Sequence, residues 1–162
     1  MTSAGRSADL RAAAVDAVAA YLAATDLDHE RTDPTTFFTM LAGERKRTVP
    51  VYLEVGERHL TVQSFFMRAP DENEGQLYAY LLSRHLRSYV LRFAIAETGD
   101  LLLVGVVPHL AVTSDELDRL LGQLLSAADD AFDTALRLGF AGYIEREQQW
   151  RERSGLGRNP IT

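Results

Sequence analysis

A chain of 162 residues, 46% apolar and 25% charged, has the length of one domain and the balance of an ordinary globular protein. Its net charge of -6 excludes the basic footprint that sequence-independent nucleic-acid binding requires, and no apolar run approaches the ~18 residues that span a bilayer. With no cysteine, disulfides, Cys-ligated zinc and a thiol nucleophile are excluded, and a cytoplasmic location is expected.

Residues 1–8 are small and polar and are expected to be disordered. Arg6 and Arg11 hint at a leader, but Asp9 and Asp16 interrupt the apolar run, so no signal peptide is expected. From Asp9 to Ala24, the apolar positions Leu10, Ala14, Ala17, Val18, Tyr21 and Leu22 recur at helical spacing. The polar stretch TDLDHERTDPTT then reads as a loop. Phe37 to Ala42 predicts a strand, and GERKRT a charged turn. In the next strand Val49, Val51, Leu53 and Val55 alternate with Pro50, Tyr52 and Glu54. Pro50 has no N–H, so it belongs at that strand's start or on an edge. A third strand alternates Leu60, Val62, Ser64 and Phe66 with Thr61, Gln63, Phe65 and Met67.

Asp71, Glu72, Asn73 and Glu74 crowd donor groups into four positions. They could ligate a metal. The better reading is a capping box, with Asp71 as cap and Glu74 three residues on. The helix behind it places Leu77, Tyr78, Leu81, Leu82 and Leu86 on one face. Tyr89 to Ala96 is a strand, with Leu91, Phe93 and Ile95 on one side, and ETGD turns the chain. Leu101 to Val107 is almost wholly apolar, as a strand buried on both faces would be. Thr113 and Glu116 form a second capping box before a long helix with an apolar stripe from Leu117 to Leu136. Gly139 and Phe140 suggest a Schellman ending. A last helix covers Phe140 to Arg153, and residues 154–162 read as a flexible tail. The fold class is α+β: one domain over residues 9–153, a mainly antiparallel sheet of about five strands with helices packed on it, in the order α-β-β-β-α-β-β-α-α.

The chain offers little catalytic chemistry. His29, His59, His85 and His109 include no i, i+4 pair, and DLDHE lacks the glycine and terminal glutamate of a calcium loop. Asp129 and Asp133 share a helix face, where carboxylates are normally just solvated. No Gly-x-Ser-x-Gly elbow, phosphate loop or dinucleotide fingerprint is present. The basic turn Arg45-Lys46-Arg47 reads as a solvated loop tip. No catalytic, metal-binding or cofactor-binding residue is nominated, and no cofactor is expected.

The stretches FMRAPDENEGQLYAYLLSRHL, GDLLLVGVVP and LDRLLGQLLSAADDAFDTALRLGF resemble the YbjN-like family of actinobacteria, which is related to type III secretion chaperones. The likeness runs from about Val49 to Arg153. It implies a small α+β peptide-binding fold, a cytosolic homodimer, and a protein or peptide client held in extended form against apolar patches. It supplies no functional residues. If Val51, Leu53, Leu60, Val62, Phe93 and Ile95 face the helices, then Tyr52, Phe65, Met67 and Arg92 face away as a partner-binding face. The last helix or a dimer mate could instead cover them. Leu77, Tyr78, Tyr80 and Leu81 are the candidate dimer face. The function expected is therefore a non-catalytic, chaperone-like binding module. A small-molecule sensor or enzyme with a buried pocket, using His85 or Arg92 beside Asp129, and a structural subunit are the alternatives.

Overall fold

The computed structural model describes residues 3–159. Four helices and six strands follow in the order α1 (Ser3–Ala24), β1 (His29–Asp33), β2 (Thr36–Ala42), β3 (Thr48–Val55), β4 (His59–Met67), α2 (Glu74–Arg84), β5 (Arg92–Ile95), β6 (Leu101–Pro108), α3 (Ser114–Gly139) and α4 (Ala141–Arg153). The strands form one antiparallel sheet in the order β1-β2-β3-β4-β6-β5. This is the α+β arrangement expected, with one strand more.

The core lies between one sheet face and the helices. Val49, Val51, Leu53 and Val55 of β3 and Leu60, Val62 and Phe66 of β4 are buried, because alternate side chains of a strand share a face. Against them pack Ala14, Val18 and Leu22 of α1, Leu77 and Leu81 of α2, and Leu117, Leu120, Leu124, Ala128, Ala131 and Ala135 of α3. Tyr21 closes the α1 edge by donating to Asp118 Oδ1 at 3.2 Å. Burial and that carboxylate push its phenol up to about 12.

Several elements differ from expectation. The helix begins at Ser3, inside the segment expected to be disordered; residues 1 and 2 lie outside the described residues. The loop before Phe37 contains β1, whose five residues are all exposed. A strand wet on both faces has no alternation to read, and only its backbone ladder to β2 defines it. At the other end, Ser154–Asn159 fold back on α4: Arg151 Nε donates to Gly157 O at 2.7 Å, and Asn159 bonds Gln148 and Glu147. The rest of the expected tail, 160–162, lies outside the described residues.

The 71–74 cluster does serve helix ends, though mostly not its own. The cap of α2 is Asn73, held at φ 53° with no side-chain cap bond. Its Nδ2 donates to Leu138 O near the end of α3. Glu72 Oε1 accepts from Gly142 N at 2.6 Å in the first turn of α4. Asp71, the expected cap, instead makes a two-pronged pair with Arg68 at 2.7 and 2.9 Å. Gly139 ends α3 without adopting positive φ; it is needed for space, since a Cβ there would stand 3.0 Å from Pro70 Cβ and 3.2 Å from Leu77 Cδ2. The second capping box forms as expected on its cap side, Thr113 Oγ1 accepting from Glu116 N at 3.2 Å.

Candidate partner-binding face

The other face of the sheet is open. The strand registers put Glu30, Phe38, Tyr52, Gln63, Val104 and Arg92 in one row across all six strands. Phe38 and Tyr52 touch ring to ring, 4.9 Å between centroids. Beside that row stand Met40, Phe65 and Leu102 on one side and Val106 on the other. Met40 and Phe65 are 41% exposed, Tyr52 46% and Val106 50%. Such values on a sheet surface mean that, among the described residues, no helix lies over these side chains. The last helix, α4, does not cover them. The result is an apolar stripe with Glu30 at one edge and Arg92 at the other, interrupted by Gln63 and bordered beside Val106 by Glu54 and Thr61.

Strand β6 accounts for much of this stripe. Its apolar run reads as a strand buried on both sides, yet only Leu101, Leu103, Gly105 and Val107 are buried; Leu102 and Val104 are half-buried. The outward residues are apolar because the open face is apolar, not because a second layer covers it. Pro50, expected at a strand start or edge, is instead the third residue of the interior strand β3, paired with Met40; it is tolerated because the β3–β4 pairing begins only at Tyr52.

Of the four residues placed on this face from sequence, Tyr52, Phe65 and Arg92 are exposed on it. Met67 is not: it is 5% exposed. The β4–β6 register slips between Phe65 and Met67, and a bulge of one residue sends the next side chain to the opposite face. Ile95, expected to face the helices, borders α2 at the sheet edge but is left exposed there. On α2, Leu77 and Leu81 belong to the core and offer no outer surface, while Tyr78 and Tyr80 are half-buried. The solvent side of this helix instead shows Leu82, 63% exposed, with Leu86, 91% exposed, in the 3-10 turn His85–Arg87 behind it. Leu82 lines an apolar groove with Ile95, Tyr78 and Phe93.

The profile of the YbjN family, described as "Putative bacterial sensory transduction regulator", matches residues 14–137. The chain belongs to the YbjN family. A curated relative, "Uncharacterized protein Rv0487" of Mycobacterium tuberculosis, is 42% identical over 118 residues, which is 73% of this chain and 64% of the relative. This YbjN-family chain thus matches under two thirds of that relative's length. Among solved structures, the fold is similar to a chain of the HopA1-SchA chaperone–effector complex, with TM-score 0.51 and 16% identity, over 74% of this chain and 90% of that one. A chain of the complex of the Yersinia pestis type III secretion chaperone SycH with a fragment of YscM2 aligns at TM-score 0.48 and 17% identity, covering 73% and 96%. The chain thus shares its α+β fold with the HopA1-SchA chain.

Four of the titratable groups singled out in the sequence, Asp129, Asp133, Lys46 and His85, make structural contacts. Asp129 Oδ1 accepts from the backbone N–H groups of Arg45 and Lys46 at 2.8 and 2.9 Å, and Asp133 stands 3.7 Å from Arg45. The two carboxylates anchor the β2–β3 turn to α3. Lys46, the single lysine, lies near the Phe65 and Phe132 rings, 5.9 and 5.4 Å from their centroids, and burial holds its pKa below the ordinary lysine value. His85 stands far from Asp129 in function: its Nε2 accepts from Phe93 N at 2.8 Å, and its ring stacks on Phe93. That bond requires neutral imidazole with the proton on Nδ1.

Burial and the nearby Arg92 lower the pKa of His85 from 6.5. Between the lowered value and 6.5, the unfolded chain binds the proton more readily. The contribution to stability is thus complete above pH 6.5 and is lost as pH falls through the folded value. Arg92 acts on this imidazole directly, and Arg84, Arg87 and the carboxylate of Asp130 line the same groove. Urea unfolding of the wild type should therefore show stability falling on acidification below pH 6.5 more steeply than in His85→Gln. Superimposable pH profiles would contradict this role.

Proposed function

We propose that this chain is a non-catalytic, chaperone-like module that holds an extended segment of a partner protein on the open face of its sheet. One observation carries the reading: the exposed Met40, Tyr52, Phe65 and Val106, with half-buried Phe38 among them. Contiguous apolar surface of this kind marks an interaction site. Aromatic rings supply large contact area with few torsions to freeze, and a methionine adapts to varied side chains. An extended peptide suits a flat pleated surface, because alternate residues of the peptide reach the stripe while the others face water.

The test is fluorescence anisotropy with labelled extended peptides that alternate apolar and polar residues. Tyr52→Glu and Phe65→Glu should each weaken binding by about tenfold or more, as expected when the anchor of an apolar contact is replaced by charge. Binding should survive high salt, since burial of apolar surface is not screened. Unaltered affinity in both variants would rule the stripe out as the binding surface.

We infer further that the chain pairs with a second copy through the flank of α2. The support is the cluster of Leu82, Leu86 and Ile95, with Tyr78 and Tyr80 at its margin. Light scattering at micromolar concentration should give a dimer for the wild type and a monomer for Leu82→Glu/Leu86→Glu. A monomeric wild type would remove this interface.

A further inference from the structure

A groove of about 690 Å³ runs between α2, the His85–Arg87 turn and α3, on the helical side of the molecule away from the open stripe. Its size is that of a small-molecule site. The half-buried Phe93, Tyr80 and Ala127 supply its accessible apolar surface, above the core residues Leu91 and Leu103. The walls are polar, and the charges are unbalanced in a direction unlike the rest of this acidic chain. Arg84 and Arg87 line the groove, with Asp130 as the opposing carboxylate. Arg84 reaches Asp130 only at 3.7 Å, with both side chains well exposed, so that pair is weak and exchangeable. Arg87 has no hydrogen-bond or ion-pair partner among the described residues. His85 lines the groove too, with Nε2 occupied by Phe93 N–H and Nδ1 left as a donor. Planar guanidinium groups match carboxylates in two-pronged fashion.

We propose that this groove binds a small organic carboxylate, its anionic head on Arg84 and Arg87 and its apolar body over Phe93 and Ala127. The Arg84–Asp130 contact opens to admit it, and Asp130 turns to water. A neutral molecule of the same shape lacks the head that the arginines recognise. A bare inorganic anion lacks the body that the floor buries.

The experiment uses the full chain, labelled with ¹⁵N, and three probes: benzoate, its neutral analogue benzamide, and inorganic phosphate. Benzoate should shift amide signals of residues 84–88, 93 and 123–130 with an affinity on the order of millimolar, as expected of a fragment-sized ligand. Benzamide and phosphate should bind at least about tenfold more weakly, the effect of losing a charge-assisted bond or the buried body. Arg84→Ala/Arg87→Ala should remove the benzoate shifts while far-UV circular dichroism stays unchanged, both side chains being at the surface. Arg87→Lys, which keeps the charge but loses the fork, should bind with intermediate affinity. Three results would overturn the proposal: no response to benzoate, equal responses to benzoate and benzamide, or shifts that persist in the double variant or map to the open sheet face.

Discussion

Phe66→Ala is expected to lower the unfolding free energy by about 3–5 kcal/mol, the range for truncating a buried aromatic side chain. Phe66 is 1% exposed, at the bulge of β4. Its ring meets Phe93 of β5 at 5.0 Å and Phe132 of α3 at 6.2 Å, both edge-on. It therefore joins the edge of the sheet to the long helix, and its loss leaves a cavity that neither can readily collapse to fill. Edge-to-face aromatic pairs add about 0.5–1.5 kcal/mol beyond burial itself. Urea unfolding measures the change, which corresponds to a fall in Tm of roughly 10 °C for a domain of this size. The neighbouring Phe65→Ala supplies the control: Phe65 is on the open face and should cost under about 1 kcal/mol. Equal losses at the two positions would mean that the bulge is misplaced.

The second large effect is expected at Gly43, in the turn between β2 and β3. A Cβ there would lie 2.4 Å from Lys46 O and 2.5 Å from Asp129 Oδ1. Its φ is not positive, so the conflict is one of space alone. Gly43→Ala must push away either the backbone of the turn or the carboxylate that holds it. Overpacking of this kind costs about 1–3 kcal/mol, and unpairing the N–H groups of Arg45 and Lys46 adds about 1–3 kcal/mol. A loss of roughly 3 kcal/mol is expected by urea unfolding. Because both changes act through Asp129, Gly43→Ala and Asp129→Ala should be clearly non-additive in the double variant. Additive losses would show that the turn and α3 are not coupled through this carboxylate.

These contacts show which parts of the fold were legible from residue order. The core strands were, since Val49–Val55 and Leu60–Phe66 alternate and burial follows the pleat. Strand β1 was not, because His29–Asp33 is exposed throughout and carries no side-chain pattern. The acids at 71–74 were rightly placed at helix ends, but local spacing pointed to their own helix. Glu72 and Asn73 act on partners at positions 142 and 138, a pairing that only the tertiary fold creates. The same limit governs the candidate site. Tyr52 and Phe65 follow from alternation, whereas Met67 fails because a bulge breaks it. Helical spacing groups Leu77, Leu81 and Leu82 without saying which side of α2 meets the core. Phe38, Met40 and Val106 were missed, although a signal existed: Phe37-Phe38 and the unbroken run of β6 are apolar on both faces of one sheet. Such a run is compatible with a second layer or with an exposed binding face, and only the arrangement of the helices decides between them.

That arrangement, all helices on one side and an apolar stripe bare on the other, is what the functional reading rests on. The most direct measurement is amide chemical-shift mapping of the ¹⁵N-labelled chain titrated with an alternating apolar–polar peptide. The expected result is a contiguous set of shifts at Phe38, Met40, Tyr52, Phe65, Val104 and Val106, absent in Phe65→Glu. Shifts confined to the α2–α3 groove, or none at any position on the sheet, would contradict it.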